Sequence, residues 1–105
     1  MGIYFTDQFS LLHFATGVIV YFWNISLPTW FVLHLLYEII TNTKFGLWFI
    51  NNVVTIWPGG KLKYDSLINI VGDQFYGILG WLFTYWIVQY FYDGELYDKY
   101  PSQKI

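Results

Sequence analysis

A polar face on an otherwise apolar helix constrains this chain most, and it lies in residues 61–81, KLKYDSLINIVGDQFYGILGW. An α-helix turns by about 100° per residue, so the polar and small side chains fall within an arc of about 100°. They are Asp65, Asn69, Gly72, Asp73, Tyr76 and Gly80. A carboxylate at the centre of a bilayer costs about 2.5 to 3.5 kcal/mol on insertion scales. We therefore expect Asp73 to face protein or water, with partners supplied by the rest of the chain.

The composition indicates a single, strongly apolar domain. Of the 105 residues, 56% are hydrophobic, 25% are aromatic and 11% are charged, whereas about 25% of the residues in an ordinary globular domain are charged. This deficit of charge predicts an integral membrane protein, and the length allows one membrane domain over residues 1–105. The predicted fold class is all-α, with about three transmembrane helices and a short re-entrant or interfacial segment.

Three apolar runs separated by turn residues predict the positions of these helices. The runs cover residues of about 8–24, 28–48 and 65–92, with an interfacial or loop segment at 49–64 and a polar tail at 93–105. Residues suited to cap or begin a helix precede each run. They are Thr6 or Asp7, Ser26 with Pro28, and Asp65 or Ser66.

The residue types that are missing exclude several functions. The chain has no Cys, which excludes disulfides, thiolate metal sites and cysteine nucleophiles. It has no basic run and a formal charge of -2, so a nucleic-acid partner held through phosphate contacts is not expected. Its serines lack a G-x-S-x-G elbow and no catalytic cluster stands out, so we do not expect an enzyme.

Each predicted helix carries one polar face, and lipid penalises an arrangement in which these faces point outward. The faces should gather seven residues inside one bundle: His13, His34, Glu38, Asn42, Asp65, Asn69 and Asp73. One interpretation is a proton-coupled, metal-binding or head-group-binding site, since imidazole and carboxylate at i and i+4 can ligate a metal. The other is a hydrogen-bonded core that fixes the packing of the helices. We favour the core, so neither a metal nor a cofactor is expected.

The same faces predict particular contacts between the helices. His34 and Glu38 should face the third helix, where Asp73 should accept a hydrogen bond from an imidazole. The expected donor is His13 or His34, because imidazoles are the only cations expected within the membrane interior, away from the ends of the predicted spans. Small residues let two helix backbones approach closely. Gly72, Gly77 and Gly80 are therefore expected to serve helix packing.

Short motifs in residues 7–80 resemble the VanZ-like family of small polytopic membrane proteins. In chain order they are Asp7-Gln8, His13-Phe14, Glu38, a turn with glycines and Lys61, and then Asp65, Asn69, Gly72 and Gly77. The family has Asp-Lys-x-x-His-Phe, Glu-x-x-Gln and, after an Arg-containing turn, Asp-x-x-x-Asn-x-x-Gly. Here Gln8 and Thr41 replace the Lys and the Gln, the spacing to His13 is longer, and Asp73 is an additional acid. The resemblance implies a membrane fold and candidate binding residues, but no particular reaction.

The sequence thus predicts a small non-enzymatic integral membrane protein that is a structural or assembly subunit of a larger complex. A respiratory complex and a virion with an internal membrane both fit this prediction, and the expected partners are the lipid bilayer and other membrane, capsid or complex proteins. The alternative is a VanZ-like envelope protein that binds a lipid head group or lipid-linked ligand through Glu38, Asp65 and Asn69. The lysines of the flanking loops favour an orientation with the N-terminus and residues 44–64 inside.

Overall fold

The computed structural model describes residues 2–91, 95–97 and 100–101, which form four helices and one short pair of strands. The helices are α1 (Gln8–Phe22), α2 (Leu27–Thr41), α3 (Lys44–Asn52) and α4 (Leu67–Phe91), and the strands are β1 (Glu95–Tyr97) and β2 (Tyr100–Pro101). The two strands pair antiparallel within the segment predicted as a polar tail. The predicted helix end at residue 92 and the rest of that tail lie outside the described residues.

Side-chain caps define where the first two helices begin. The Asp7 carboxylate accepts a hydrogen bond of 2.9 Å from the Phe9 amide, and the Asp7 amide donates one of 3.0 Å to the Ser10 hydroxyl. At the next helix, the Ser26 hydroxyl accepts a hydrogen bond from the Thr29 amide, and Pro28 occupies the first turn. These contacts satisfy amides that the first turn of a helix leaves free.

The predicted second helix, residues 28–48, is divided in the structure into α2 and α3. Asn42 closes α2, and Thr43 adopts an extended conformation with φ of -101° and ψ of 161°. The Thr43 hydroxyl accepts a hydrogen bond of 3.1 Å from the Gly46 amide and donates one of 2.6 Å to the Ile40 carbonyl. A Cβ at Gly46 would overlap the Ile40 carbonyl, so this tight corner requires glycine.

The prediction of three transmembrane helices is wrong, because no helix among the described residues is both long and apolar enough to cross a membrane. α1 and α2 have 15 residues each and α3 has 9, whereas a span needs about 20. α4 has 25 residues, but Asn69, Asp73 and Gln74 interrupt its apolar sequence. The same finding overturns three related predictions. They are the membrane class, the membrane location with the N-terminus and residues 44–64 inside, and the re-entrant or interfacial interpretation of residues 49–64.

The polar face of α4 is instead packed against the other helices. Glycines bring the backbones of α1 and α4 together: a Cβ at Gly17 would overlap the Gly77 carbonyl, and a Cβ at Gly80 would overlap the Phe14 carbonyl. A Cβ at Gly72 would overlap the carbonyl of Phe5 in the N-terminal segment. Beyond these contacts lies an apolar core of Val20, Tyr21, Trp30, Trp81 and Val88. The helices are therefore fixed at close range on both sides of the polar residues.

The segments before α1 and before α4 are held by asparagine side chains. The Asn69 amide donates hydrogen bonds of 2.7 Å to the Tyr4 carbonyl and 3.0 Å to the Asp7 carboxylate. Asn51 binds both backbone groups of Lys61: it accepts from the Lys61 amide at 2.8 Å and donates to its carbonyl. Asn42 accepts a hydrogen bond of 2.7 Å from the Asp65 amide. We refer to Asn42, Asn51 and Asn69 as the amide clamps.

Candidate functional site

Two imidazoles and two carboxylates meet where α1, α2 and α4 come together. His13 of α1 lies between the other groups: its Nδ1 is 2.8 Å from His34 Nε2, and its Nε2 is 3.2 Å from Asp73 Oδ2. Glu38 Oε1 is 3.6 Å from Nε2 of each histidine. We call these four side chains the imidazole–carboxylate cluster.

Helix geometry explains why these residues share one place. His34 and Glu38 are four residues apart on α2, so their side chains lie on the same face one turn from each other. That face is directed at α4, where Gly77 leaves room for the His34 ring: a Cβ at this position would come within 2.8 Å of His34 Nδ1. Trp30, one turn earlier on α2, stacks on His34 with ring centroids 4.7 Å apart. The imidazole is therefore held in one orientation by an aromatic ring and a glycine.

The carboxylates of the cluster are buried and incompletely paired. Glu38 is 1% exposed and Asp73 is 3% exposed. Within the described part of the chain, neither oxygen of Glu38 has a hydrogen-bond partner, and Oδ1 of Asp73 has none. A buried polar group without a partner costs about 1 to 3 kcal/mol, and more when it is charged. Such a cost is retained in a fold mainly where the group has a further role.

A lysine–aspartate pair adjoins the cluster on the side of the loop before α4. Lys61 Nζ lies 2.6 Å from Asp65 Oδ2 and 3.4 Å from the Thr41 hydroxyl. Glu38, Asp65 and Asp73 together carry three negative charges when ionised, and Lys61 supplies one positive charge. The fully ionised group therefore has an excess of two negative charges in a largely buried setting.

Burial shifts the protonation of two groups in opposite directions. Desolvation, helped by repulsion from His13, lowers the pKa of His34 to about 4, and a contact with Gln74 opposes this shift in part. Desolvation and the nearby Asp73 carboxylate raise the pKa of Glu38 to about 7, although His13 and Lys61 act against them. At neutral pH, His34 is therefore a neutral imidazole, and Glu38 is protonated in part of the molecules.

A cavity of about 380 Å³ connects the cluster to the surface of the protein. His13, Glu38 and Asp73 line its inner end, and Lys61 and Asp65 line one side. Its remaining wall includes Ile3, Phe9, Leu12, Trp57, Leu62 and Tyr64. Trp57 is fixed there by a hydrogen bond of 2.8 Å from its indole to the Tyr37 hydroxyl. The volume lies within the range of small-molecule sites, about 300 to 1,000 Å³.

The structure divides the seven polar residues named from the sequence into three groups. His13, His34, Glu38 and Asp73 form the cluster, and His13 is the imidazole that contacts Asp73. Asp65 lies beside the cluster and pairs with Lys61. Asn42 and Asn69 bind backbone groups as amide clamps. The N-cap position before α4 is taken by Ser66, whose hydroxyl accepts a hydrogen bond of 3.2 Å from the Asn69 amide.

Sequence reasoning did not include Lys61 and Gln74 among the site residues. Lys61 precedes Asp65 by four residues, and this spacing of opposite charges was the available signal. Lys61 lies in a loop, however, where the spacing of two residues does not determine where their side chains point. Gln74 is buried and donates a hydrogen bond of 2.8 Å to the Phe31 carbonyl. Its signal was a polar residue next to Asp73 in the middle of an apolar run.

Two sets of side chains have a geometry suited to a metal ion. His13, His34 and Glu38 each offer one ligand atom, and so do Glu38, Asp65 and Asp73; within each set these atoms lie within 4.8 Å of one another. The first set combines two imidazoles with a carboxylate, which is a donor set that Zn²⁺ and other first-row divalent metals use. Glu38 belongs to both sets.

No family model, curated protein or solved structure matches this chain. The resemblance to the VanZ-like family, which rests on short motifs, therefore stays a prediction.

Proposed function

We propose that this protein binds a divalent first-row metal ion, with Zn²⁺ as the reference case, through His13, His34 and Glu38. The observation that carries the proposal is Glu38, which is buried beside two imidazoles with both carboxylate oxygens free of hydrogen bonds among the described residues. A metal ion would occupy the space between these donors and replace the missing partners.

The distances favour particular ligand atoms. Zn–N bonds of about 2.0 to 2.1 Å in a tetrahedral site place neighbouring ligand atoms about 3.3 Å apart. His13 Nδ1 and His34 Nε2 are 2.8 Å apart, and His34 Nε2 and Glu38 Oε1 are 3.6 Å apart. The imidazole–carboxylate distance is close to that spacing, whereas the two imidazole nitrogens are about 0.5 Å closer together than a bound ion requires. Binding of the ion would therefore move the two rings apart by about this amount.

Asp73 would act as a positioning residue for this site. Histidine ligands usually donate their other ring N–H to a carboxylate or a carbonyl, which fixes the tautomer and the ring orientation. His13 Nε2 lies 3.2 Å from Asp73 Oδ2, so a proton on Nε2 leaves Nδ1 free to bind the metal. Replacing Asp73 with Asn should therefore weaken metal binding by about tenfold without abolishing it.

The charge balance also supports a divalent cation. The three carboxylates and Lys61 leave two uncompensated negative charges when all are ionised, and one divalent ion neutralises them. His34 already has the neutral form that a ligand requires, because its pKa is lowered to about 4. Glu38 must lose its proton to bind, so metal affinity should increase as the pH rises through about 7.

Metal titration of the purified, metal-stripped protein tests the proposal. We expect one equivalent of Zn²⁺ to bind in isothermal titration calorimetry, and His34→Gln and Glu38→Gln to abolish this binding. Asp65→Asn is the matched control: it removes a neighbouring carboxylate outside the proposed ligand set, so one equivalent of Zn²⁺ should still bind, with an affinity lowered only by the loss of one nearby negative charge. Absence of any binding to the wild-type protein would refute the proposal. Loss of binding in Asp65→Asn but not in His34→Gln would place the ion among the carboxylates instead.

The other predicted roles remain separate from this proposal. Two roles stay predictions, although the membrane location expected for both is wrong. They are a structural subunit of a larger assembly and the binding of a head group by Glu38, Asp65 and Asn69. Asn69 is committed to the Tyr4 carbonyl and the Asp7 carboxylate, which favours a ligand set without Asn69.

A further inference from the structure

The metal site proposed above would not be closed by protein. His13, His34 and Glu38 supply three ligands, and sites with three protein ligands keep a fourth position for water or a substrate. His13 and Glu38 line the inner end of the cavity, whereas His34 does not line it. The fourth position would therefore be reached from the cavity, so that a molecule entering it meets the metal at the end of its path.

The wall of the cavity changes in chemistry along this path. Its inner end is polar, with His13, Glu38 and Asp73. The rest of its wall carries some charged side chains but is mostly apolar, and its apolar part includes Phe9, Leu12 and Trp57. An occupant with a polar head and an apolar body would match both parts. A fully polar occupant would leave the apolar wall in contact with water, and a fully apolar one would leave the metal position unfilled.

The charge of the head follows from the state of the cluster. With a divalent ion bound, the three carboxylates and Lys61 are balanced, and the Lys61 ammonium still lines the cavity beside the metal position. An anionic oxygen group gains from both the metal and the ammonium, whereas an amine is repelled by both. Without the metal the preference reverses, because the excess negative charge then favours a cation.

We propose, on the basis of the metal site, that the cavity binds a small carboxylate with an apolar chain, whose carboxylate takes the fourth coordination position and whose chain lies against Phe9, Leu12 and Trp57. The cavity of about 380 Å³ is at the lower end of the small-molecule range, so the chain of the ligand is short.

Cobalt-substituted protein tests this inference, since the visible absorption of Co²⁺ reports its coordination. The probes are hexanoate, acetate and hexylamine. We expect hexanoate to change the Co²⁺ spectrum and to bind at least about tenfold more tightly than acetate, because its additional methylenes leave water. Hexylamine should not bind the cobalt-loaded protein.

Two neighbouring substitutions separate the cavity from the rest of the surface. Leu12→Trp adds bulk to the cavity wall and should reduce hexanoate affinity about tenfold or more, towards that of acetate, with one Co²⁺ still bound. Leu11→Trp is the matched control, because Leu11 is 76% exposed and does not line the cavity; hexanoate binding should be unchanged in this variant.

The possible failures are distinguishable. If one Co²⁺ binds but hexanoate leaves its spectrum unchanged, the ligand inference is wrong and the metal site stands. If Co²⁺ itself does not bind, both are wrong. Equal hexanoate affinity with and without metal, or tight binding of hexylamine to the metal-loaded protein, would overturn the proposed coordination by a carboxylate. Equal effects of the two tryptophan substitutions would overturn the assignment of the chain to this cavity.

Discussion

The amide clamps and the imidazole–carboxylate cluster are both polar groups inserted between apolar helices, but they differ in how their hydrogen-bonding capacity is used. Asn51 binds both backbone groups of Lys61, and Asn69 binds a carbonyl and a carboxylate. Glu38, by contrast, has no hydrogen bond to either oxygen in the described part of the chain. Satisfied polar groups stabilise one arrangement of the chain, whereas unsatisfied buried charges reduce stability. This difference supports a structural role for the clamps and the proposed ligand binding by the cluster.

The largest expected effect is the loss of an amide clamp. Asn69→Ala should destabilise the protein by about 2 to 4 kcal/mol, because it leaves the Tyr4 carbonyl and the Asp7 carboxylate without this donor and opens a small cavity. Urea denaturation of the metal-free protein measures the change. Asn52→Ala is the control: Asn52 is exposed and donates one hydrogen bond within its own helix, so its effect should stay within about 0.5 kcal/mol. Similar losses in the two variants would contradict the structural role of Asn69.

The two regions also differ in how far the sequence predicts them. Asp7 and Ser26 were predicted as caps from local sequence, because a cap binds amides only two or three residues away. The meeting of His34, Glu38 and Asp73 followed from helical periodicity, which fixes the face on which a side chain lies. The position of Lys61 depends instead on Asn51, ten residues earlier, whose side chain holds the Lys61 backbone. Such a contact between a helix and a loop leaves no periodic signal.

The membrane prediction failed because composition reports total apolarity and not the length of each helix. The corner at Thr43 divides one long apolar run into α2 and α3, and hydrogen bonds of the Thr43 hydroxyl hold this corner. A threonine within an apolar run is compatible with a continuous helix, so the break is decided by the packing of Gly46 against the Ile40 carbonyl. This packing is a tertiary effect that the local sequence does not specify.

An effect of opposite sign is expected when a charge is removed from the cluster. At pH 8 in the absence of metal, Glu38 is mostly ionised, since its pKa is raised to about 7. Glu38→Gln removes this buried charge and should stabilise the metal-free protein by on the order of 2 kcal/mol, while abolishing metal binding. Urea denaturation at pH 8 measures this gain. A loss of stability as large as that of Asn69→Ala would show that Glu38 is a structural residue like the clamps.

The pH dependence of the stability of the same variant provides a second test of the cluster. The folded pKa of Glu38 is above its ordinary 4.5, so its contribution to stability is present below pH 4.5 and is lost as the pH rises through about 7. The folded pKa of His34 is below its ordinary 6.5, so its contribution increases as the pH rises from about 4 to 6.5. These opposite slopes should largely cancel in the wild-type protein between pH 4.5 and 6.5. In Glu38→Gln only the His34 slope remains, and its urea midpoint should increase over this interval.

The smallest expected effect concerns Lys61, which belongs to both regions: its backbone is held by Asn51, and its ammonium faces the cluster. Lys61→Met leaves the backbone clamp in place and removes a positive charge that lowers the pKa of Glu38. Glu38 then keeps more of its proton at pH 7, so Zn²⁺ binding should release more protons than the half equivalent expected for a group with a pKa of about 7. Removal of the ammonium also removes its repulsion of the Zn²⁺ ion. Because the ion adds two positive charges and the released proton takes away one, the gain exceeds the cost of deprotonation. The affinity for Zn²⁺ should therefore increase about threefold to tenfold.

Calorimetry in buffers of different ionisation enthalpy measures both quantities for Lys61→Met, with the exposed Lys63→Met as the control. Weaker Zn²⁺ binding in Lys61→Met than in Lys63→Met would mean that the Lys61–Asp65 pair, which joins at 2.6 Å, supports the cluster mechanically and not through its charge. The ammonium would then act as part of the clamped structure. Tighter Zn²⁺ binding with greater proton release would instead show that Lys61 has two separate roles. Its backbone would belong to the clamped structure, and its charge would act on the metal site.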